Sequence, residues 1–115
     1  KMKKILEQNK RVFLLLELNP PCPNSMIESL CLGFPCIGFD SGSFKELLGD
    51  AGIVIPYEGD VWKLETPSLS KIKDSINTVS NNYEHYNSKA LEIAKKYEIN
   101  IMLVKYEILI NKLLN

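Results

Sequence analysis

The sequence lacks a net charge, because fourteen lysine and arginine residues balance fourteen aspartate and glutamate residues. With no overall positive field to attract nucleic acid or an anionic membrane surface, neither is expected as a partner. Long apolar runs are also missing: the longest, such as residues 12–16, are far shorter than the roughly 20 residues of a membrane span. No signal-peptide pattern is present. These absences predict a soluble, cytoplasmic protein.

Cysteine and histidine are scarce. The three cysteines, Cys22, Cys31 and Cys36, do not form the close pairs of zinc or thioredoxin-like sites, so we predict no metal site and expect buried free thiols. The single histidine, His85, lies in a late helical segment, far in sequence from the strand ends, and is expected at the surface.

Four common catalytic and nucleotide-binding motifs are absent. The sequence has no GxGxxG turn, no Walker loop, no HExxH pair and no GxSxG elbow. Their absence excludes the simplest dinucleotide-cofactor, P-loop, zinc-protease and serine-hydrolase functions. Two classes of function remain: a domain that binds a sugar nucleotide, and an interaction module.

What the sequence does contain is an alternation of strand and helix patterns. A nearly continuous apolar run at 11–18 predicts a strand buried on both faces, and short strands are expected at 36–39 and 52–56. Apolar residues at three- and four-residue spacing predict helices after Asn24 and Ser43. This order is typical of parallel α/β units. We therefore predict an α/β fold: a partial doubly wound, Rossmann-like parallel sheet of about three strands with a helical C-terminal tail.

Capping residues place the expected helix starts. Asn24 follows a proline-rich loop and is a favourable N-cap. Ser43 with Glu46 forms a capping-box pattern, and Thr66-Pro67 is a cap and first-turn pair for a later helix.

The C-terminal half is predicted to be helical. Two helices are expected between residues 67 and 97, with a break at Asn81 and Asn82, and a last helix over 100–114. The last helix is apolar on almost every side, so we expect other protein surface to cover it.

The whole chain is interpreted as a single domain over residues 1–115, with α/β units in 1–60 and helices in 61–115. A lysine precedes the first methionine, and a basic helical pattern over 3–9 comes before the first strand. We therefore expect the chain to be a piece of a longer protein.

The loop between the first strand and the first helix is the predicted ligand site. In open α/β sheets, ligands bind beyond the carboxyl ends of the strands, where residues 19–28 lie. A helix beginning at Asn24 offers unpaired N–H groups and a positive dipole end to a phosphate. Glu28, one turn further on, can accept hydrogen bonds from the diol of a ribose. Alternatively, Glu28 only complements the helix dipole, a contribution of about 0.3–1 kcal/mol. The loop at 40–43 follows the next strand and could line the same crevice; alternatively, it is a plain turn between a strand and a helix.

The run PPCPNSMIESLCLGFPCIGFDSGSFKELLGDAGIVIP, residues 20–56, resembles the distal part of the C-terminal domain of retaining glycosyltransferases with the two-domain GT-B fold, the group called glycosyltransferase group 1. The specific feature is the order of parts: a strand, a loop, a helix opening like PNSMIESLCLGFPCI, a glycine-bearing turn, and a segment like ELLGDAGIVIP. Residues 11–60 carry the resemblance, and residues 61–115 fit as the helical tail.

The resemblance implies which residues bind a nucleotide sugar. In this family two glutamates with seven residues between them bracket the loop. The second binds the nucleotide ribose and matches Glu28, whereas the first approaches the donor sugar and matches Pro20, a departure from the expected carboxylate. Cys22 lies where many relatives have a glycine-rich turn. The backbone amides of Asn24 and Ser25 are therefore the implied contacts to the sugar or diphosphate.

The implied activity is retaining transfer of a hexose from a nucleotide-activated donor, such as a UDP- or GDP-sugar, without a metal or other cofactor. In the family the basic residues that clamp the diphosphate, and the acceptor-binding N-terminal domain, lie upstream of this segment. We therefore assign no catalytic residue and expect the chain alone to be a poor catalyst.

The resemblance also suggests partners. The acceptor domain or a second chain would cover the last helix, and a homo-oligomer is one form of such cover. The parent enzyme would be cytoplasmic, with attachment to the inner membrane face as one arrangement. The alternative is a non-catalytic α/β interaction module or a degenerate relative of the enzymes.

Overall fold

The computed structural model describes residues 9–115. Three short parallel strands form one sheet in the order β1-β2-β3: β1 is Phe13–Leu15, β2 is Cys36–Phe39 and β3 is Gly52–Ile55. The described residues also form five α-helices: α1 (Asn24–Cys31), α2 (Phe44–Leu48), α3 (Ser70–Asn81), α4 (Tyr83–Ala94) and α5 (Ile99–Leu114). Single 3₁₀ turns lie at Val61–Lys63 and Lys95–Tyr97. The predicted α/β class, the three-stranded parallel sheet and the helical tail are confirmed.

The sheet has a hydrophobic cluster on each face. The first cluster joins the sheet to α1, α2 and α4; its buried members are Leu15, Met26, Leu30, Cys36, Phe44, Leu48, Ala51, Ala90 and Ile93. The second cluster joins the opposite face to α3; its buried members are Ile37, Phe39, Ile55 and Val79. Helices thus cover both faces, as parallel sheets require.

The central strand β2 is buried along its whole length, and two glycines allow its neighbours to approach. A Cβ atom on Gly52 would lie 1.7 Å from the carbonyl oxygen of Cys36, so any side chain there would separate β3 from β2. A Cβ atom on Gly38 would lie 2.8 Å from the Leu15 carbonyl oxygen and 2.9 Å from the Phe44 ring. The sheet therefore depends on glycine at both positions.

The first strand is shorter and more exposed than predicted. Of the apolar run at 11–18, only residues 13–15 form the strand, and the side chains of Leu14 and Leu16 are 38% and 48% exposed. The expectation of a strand buried on both faces is wrong here: Leu15 on one face is buried, whereas Leu14 on the other is not fully covered by the described residues. Among residues 9–115, β1 is the edge strand of the sheet.

Two predicted helix caps are also wrong. The Ser43 side chain does not cap α2, because its hydroxyl donates to the carbonyl of Pro20 instead. The helix predicted to begin at Thr66-Pro67 begins at Ser70. The Ser68 hydroxyl accepts from the Ser70 N–H at 3.4 Å, and such local bonds compete with helical geometry.

Side-chain hydrogen bonds attach the helical tail to the α/β units. The Tyr83 hydroxyl accepts from the N–H of Arg11 at 3.0 Å and donates to its carbonyl at 3.1 Å. The Asn87 amide donates to the Gly33 carbonyl at 2.7 Å, and the Tyr97 hydroxyl donates to the Leu47 carbonyl. The expected break between α3 and α4 lies at Asn82 and is confirmed. The helix predicted over 3–9 falls almost entirely outside the described residues.

The last helix is exposed along its whole length. Every residue of α5 is exposed, and its apolar side chains at Ile101, Leu103, Ile108 and Ile110 are 39%, 58%, 63% and 52% exposed. The predicted apolar helix is confirmed, whereas the expected cover does not come from the described part of the chain. Over residues 9–115, none of the helices has the length and apolar character needed to cross a membrane.

The cysteines differ from the prediction. Only Cys36 is buried; Cys22 lies in an exposed loop and Cys31 on the outer side of α1. Sequence composition could not distinguish the buried cysteine from the two exposed ones, because burial depends on which side of each helix or strand faces the core. Burial raises the pKa of the Cys36 thiol from its ordinary value of 9.0 to about 12.

We therefore predict that iodoacetamide modifies Cys22 and Cys31 in the folded protein, whereas Cys36 reacts only after unfolding. A thiol with a pKa of about 12 remains protonated near neutral pH, and the thiolate is the nucleophile. Because the pKa is raised on folding, the contribution of Cys36 to stability is complete below pH 9.0 and is lost as the pH rises towards about 12. Mass spectrometry of native and unfolded samples tests this. Equal modification of all three thiols under native conditions would contradict it.

Candidate functional site

The loops after β1 and β2 are joined at the carboxyl edge of the sheet. The carbonyl oxygen of Pro20 accepts hydrogen bonds from the Ser43 N–H at 2.9 Å and from the Ser43 hydroxyl at 3.1 Å. The Asn19 N–H donates to the hydroxyl oxygen of Ser41 at 3.0 Å. The expected position of the loop at 40–43 at the same sheet edge as the proline-rich loop is confirmed. We call these three hydrogen bonds the loop joint.

The loop joint requires a glycine at its centre. Gly42 has φ 55°, in the left-handed region, and a Cβ atom there would lie 2.3 Å from the Pro20 carbonyl oxygen. On the other side, Asn19 also has φ 55°, a conformation that asparagine tolerates better than most residues. Both loops are thus held in one conformation.

Pro20, a predicted sugar-binding position, has a structural role in this arrangement. Its ring is fully buried and its carbonyl is bonded to Ser43. A ligand outside the loop joint cannot contact this buried ring.

Cys22, another predicted site residue, is exposed and lies beside Tyr97. Burial is the main cause that raises the pKa of Tyr97, and the charges of Cys22 and Glu46 raise it further.

Helix α1 begins at Asn24, one residue earlier than predicted, because Asn24 was expected to be the N-cap and not the first helical residue. Asn24 is the first helical residue, Pro23 is the N-cap, and no side chain caps the helix. The Pro23 carbonyl accepts from the N–H groups of Met26 and Ile27 at 3.1 and 3.4 Å. Asn24 is therefore not an N-cap, because proline has already fixed the extended geometry of the preceding position. Its own N–H and that of Ser25 have no partner among the described residues, and they remain open donors.

The exposed side of α1 carries three of the predicted site residues. Glu28 follows Ser25 by three residues and Asn24 by four, so these residues share one helix face. All three are exposed, whereas Met26 and Leu30 on the other side are fully buried. Side chains in a helix lean towards its N-terminus, so the Glu28 carboxylate leans towards the open N–H groups. Glu28 makes no ion pair with any of residues 9–115.

The arrangement combines open backbone donors with a free carboxylate acceptor. Helix N-termini bind anionic oxygens, and a carboxylate accepts from neighbouring hydroxyl groups. Phosphate and diol binding are therefore the chemistry available here. Within the described chain no three metal-ligating side chains come together. His85 is exposed on α4, with its ring 5.3 Å from that of Tyr86, as expected of a surface residue.

Sequence reasoning missed two features of this edge. The partner of Pro20 is a serine 23 residues away, and no local pattern links them. The loop after β3 holds Trp62 in solvent. The sequence pattern that could have predicted the exposed side chain is a single tryptophan in a polar segment.

Comparison with known proteins gives a fold relationship. No protein-family model matches the chain, and neither does any curated protein. Among solved structures, the chain is similar to the pneumococcal O-GlcNAc transferase GtfA in complex with UDP and GlcNAc, with 18% sequence identity and a TM-score of 0.73. The similarity covers 100% of this chain and 23% of that enzyme. The chain therefore has the fold of a segment of a glycosyltransferase, about a quarter of its length.

The hydrogen bonds of the loop joint predict that replacing its two serines lowers the free energy of unfolding by different amounts. Ser41→Ala leaves the Asn19 N–H without its partner, a loss of about 1–3 kcal/mol. Ser43→Ala removes a hydroxyl, but the Pro20 carbonyl keeps the Ser43 N–H, so the loss is expected to be about 1 kcal/mol or less. Urea unfolding of the two variants, with Ser80→Ala on the exposed side of α3 as a control, measures both. A larger effect of Ser43→Ala than of Ser41→Ala would contradict this description of the joint.

Proposed function

We propose that this chain is the distal part of the donor-binding domain of a GT-B retaining glycosyltransferase of group 1, and that it binds a nucleotide-activated sugar. The observation that carries the proposal is the exposed face of α1, where Glu28 and two open N–H groups lie at the carboxyl edge of the sheet. The fold similarity to a glycosyltransferase, whose crystal structure contains UDP and GlcNAc, supports it.

In this proposal each group has one role in binding the donor. Glu28 accepts hydrogen bonds from the ribose hydroxyls, and the N–H groups of Asn24 and Ser25 bind the diphosphate or the sugar. The loop joint through Pro20 holds the loop that leads to these donors, so little ordering is needed on binding. Cys22 lies on the exposed part of that loop, next to the proposed diphosphate position.

The proposed reaction needs groups beyond these. Departure of a nucleoside diphosphate requires electrostatic stabilisation, and removing one preorganised donor from such a site costs about 100-fold or more in rate. The exposed face of α1 has no basic side chain among its described residues. We therefore propose that the diphosphate clamp and the acceptor domain belong to other parts of the enzyme, and that this chain supplies donor binding.

The proposal predicts that the chain binds one of UDP, GDP and ADP in preference to the others, and that Glu28→Ala weakens this binding. Hydrogen bonds to a charged group contribute about 1.5–3 kcal/mol, which corresponds to tenfold or more in affinity. Calorimetric titration measures the effect. Glu84→Ala, at an exposed carboxylate on α4, is the matched control, and Glu28→Gln tests charge separately from shape. Equal affinity of the native chain and Glu28→Ala would contradict the ribose assignment.

A second candidate function, a non-catalytic interaction module, is favoured by the exposure of α5. Its apolar side chains lie on more than one side of the helix, and all are exposed. Exposed apolar surface of this extent marks an interaction site. The partner in this case is a second protein surface, and a second copy of the chain is the simplest one.

Self-association through α5 gives a separate prediction. The chain is expected to sediment as a dimer or larger species at micromolar concentration, and Leu103→Glu with Ile110→Glu, seven residues apart on one face of α5, is expected to yield monomers. Glu substitution at the exposed position Ser80 on α3 is the control. If the native chain remains monomeric at high concentration, the prediction of self-association is wrong.

A further inference from the structure

A groove lies between the end of α1 and the end of α4, next to the residue at which α5 begins. Its volume is about 600 Å³, and the described residues of α5 do not line it. The residues that line this α1–α4 groove are Cys31, Leu91, Ala94, Lys95, Tyr97 and Glu98. At roughly 30 Å³ per water molecule, the groove has room for about 20 waters, or for several apolar side chains.

The two walls of the α1–α4 groove are held in place by hydrogen bonds. The Asn87 amide of α4 donates to the Gly33 carbonyl, just after α1, at 2.7 Å. The Tyr97 hydroxyl donates to the Leu47 carbonyl at 3.2 Å. A Cβ atom on Gly33 would lie 3.4 Å from the Leu91 side chain, so α1 and α4 are in close contact here. Because the groove is already formed, little ordering is needed when it is filled.

The α1–α4 groove has an apolar wall and two charged groups at its rim. Leu91 is 44% exposed, and Cys31 is exposed beside it. Lys95 and Glu98 are exposed, and neither forms an ion pair with any of residues 9–115. A partner for this surface therefore needs an apolar face with a charge of each sign at its edges.

Helix α5 carries such a face. At 3.6 residues per turn, one wide side of the helix holds the apolar residues Leu103, Tyr106, Leu109, Ile110 and Leu113. Lys105 and Lys112 lie along one edge of this side, and Glu107 lies along the other. Among residues 9–115, none of these three charged groups forms an ion pair. The lysines can pair with a groove glutamate, and Glu107 can pair with a groove lysine.

Pairing of two α5 helices with each other is less favourable. A symmetric antiparallel pair through the wide side would place the lysine edges of the two copies next to each other, and like charges oppose such a contact. A parallel coiled coil is sustained over at least three to four heptads, whereas α5 has 16 residues, little more than two heptads. The α1–α4 groove is therefore the better match for α5.

The helix that fills the groove comes from a second copy of the chain. In the structure α5 leads away from the groove, and Glu98 alone joins it to the 3₁₀ turn at Lys95–Tyr97. Two antiparallel helices need a loop of about 2–5 residues between them. For its own α5 to turn back, the 3₁₀ turn would have to unwind, and that turn forms part of the groove. A second copy needs no such change.

We propose that α5 of one copy docks into the α1–α4 groove of a second copy, and that the second copy returns the same contact. This inference rests on the second candidate function, self-association through α5. Because helix and groove belong to the same chain, two-fold symmetry gives two identical contacts in each dimer. A stable interface buries about 800 Å² on each partner, and two such contacts cover more surface than one pair of short helices.

Disulfide trapping tests the proposal directly. A cysteine is introduced on the wide side of α5 in three separate variants, Leu103→Cys, Tyr106→Cys and Ile110→Cys, which are then mildly oxidised. At least one is expected to form a disulfide between Cys31 of one chain and the new cysteine of the other, identified by peptide mass spectrometry. Val104→Cys is the matched control. Val104 is 52% exposed against 56% for Tyr106 but lies on the opposite side of α5, so no disulfide to Cys31 is expected.

Two further measurements test the groove itself. As the protein concentration rises, the rate of Cys31 alkylation is expected to fall several-fold while that of Cys22 stays constant, because docking covers only the groove. Leu91→Glu places a charge in the apolar wall and is expected to weaken dimerisation about tenfold or more in sedimentation. Ser80→Glu, on the exposed side of α3, is expected to sediment as the native chain does.

Three results would overturn the proposal: a disulfide that joins the two α5 helices, a disulfide from Cys31 to α5 within one chain, or no disulfide to Cys31 in any of the three variants. Failure here is separable from failure of the functions proposed above. If the chain dimerises with a disulfide between α5 helices, self-association stands and docking into the groove is wrong. If the chain is monomeric throughout, both are wrong. Glu28→Ala is expected to dimerise as the native chain does, so the donor site is tested independently.

Discussion

The hydrogen bonds between the Pro20 carbonyl and Ser43 are the constraint on which the carboxyl edge of the sheet depends. They join two loops that lead into separate helices, and Gly42 provides the space for this contact because no side chain fits there. Parallel strands bring the two loops to one edge, and the joint holds the first residues of the loop that leads to α1. The groups of the proposed donor site lie on the first turns of that helix. A proline at position 20 therefore has a physical purpose even though it cannot supply the carboxylate that the resemblance led us to expect.

Two elements of the molecule, β1 and α5, leave apolar side chains exposed. The edge strand keeps only three residues of its longer apolar run in the sheet, and the last helix exposes apolar side chains along its whole length. In both elements, the described part of the chain leaves some of the apolar side chains uncovered. Such surfaces in a folded protein favour a partner. Both candidate functions accommodate this, since a donor-binding domain needs an acceptor domain and an interaction module needs a second chain. The nucleotide titration and the sedimentation behaviour separate these functions because the first tests α1 and the second tests α5.

The proposed donor site and Trp62 differ in how they could be recognised. Glu28 and Asn24 belong to a pattern, a helix after a strand with an acidic residue one turn on, and sequence spacing is enough to place them together. Trp62 belongs to no pattern. The loop that carries it is held by hydrogen bonds of Asp60 and Glu65, which join residues across an irregular segment.

The sequence by itself determined the order of strands and helices, the parallel sheet and the apolar last helix, because these follow from the spacing of apolar residues and from proline and glycine, which act over a few residues. It also placed Glu28 one turn into a helix that follows the proline-rich loop. Tertiary structure alone decided the rest. Ser43 was predicted to cap its helix, but Pro20 offered a competing acceptor from a distant loop. Cys36 is buried and Cys31 exposed because one meets the sheet interior and the other solvent. Such outcomes depend on which groups meet across the fold, and local spacing carries no information about residues that are far apart in the chain.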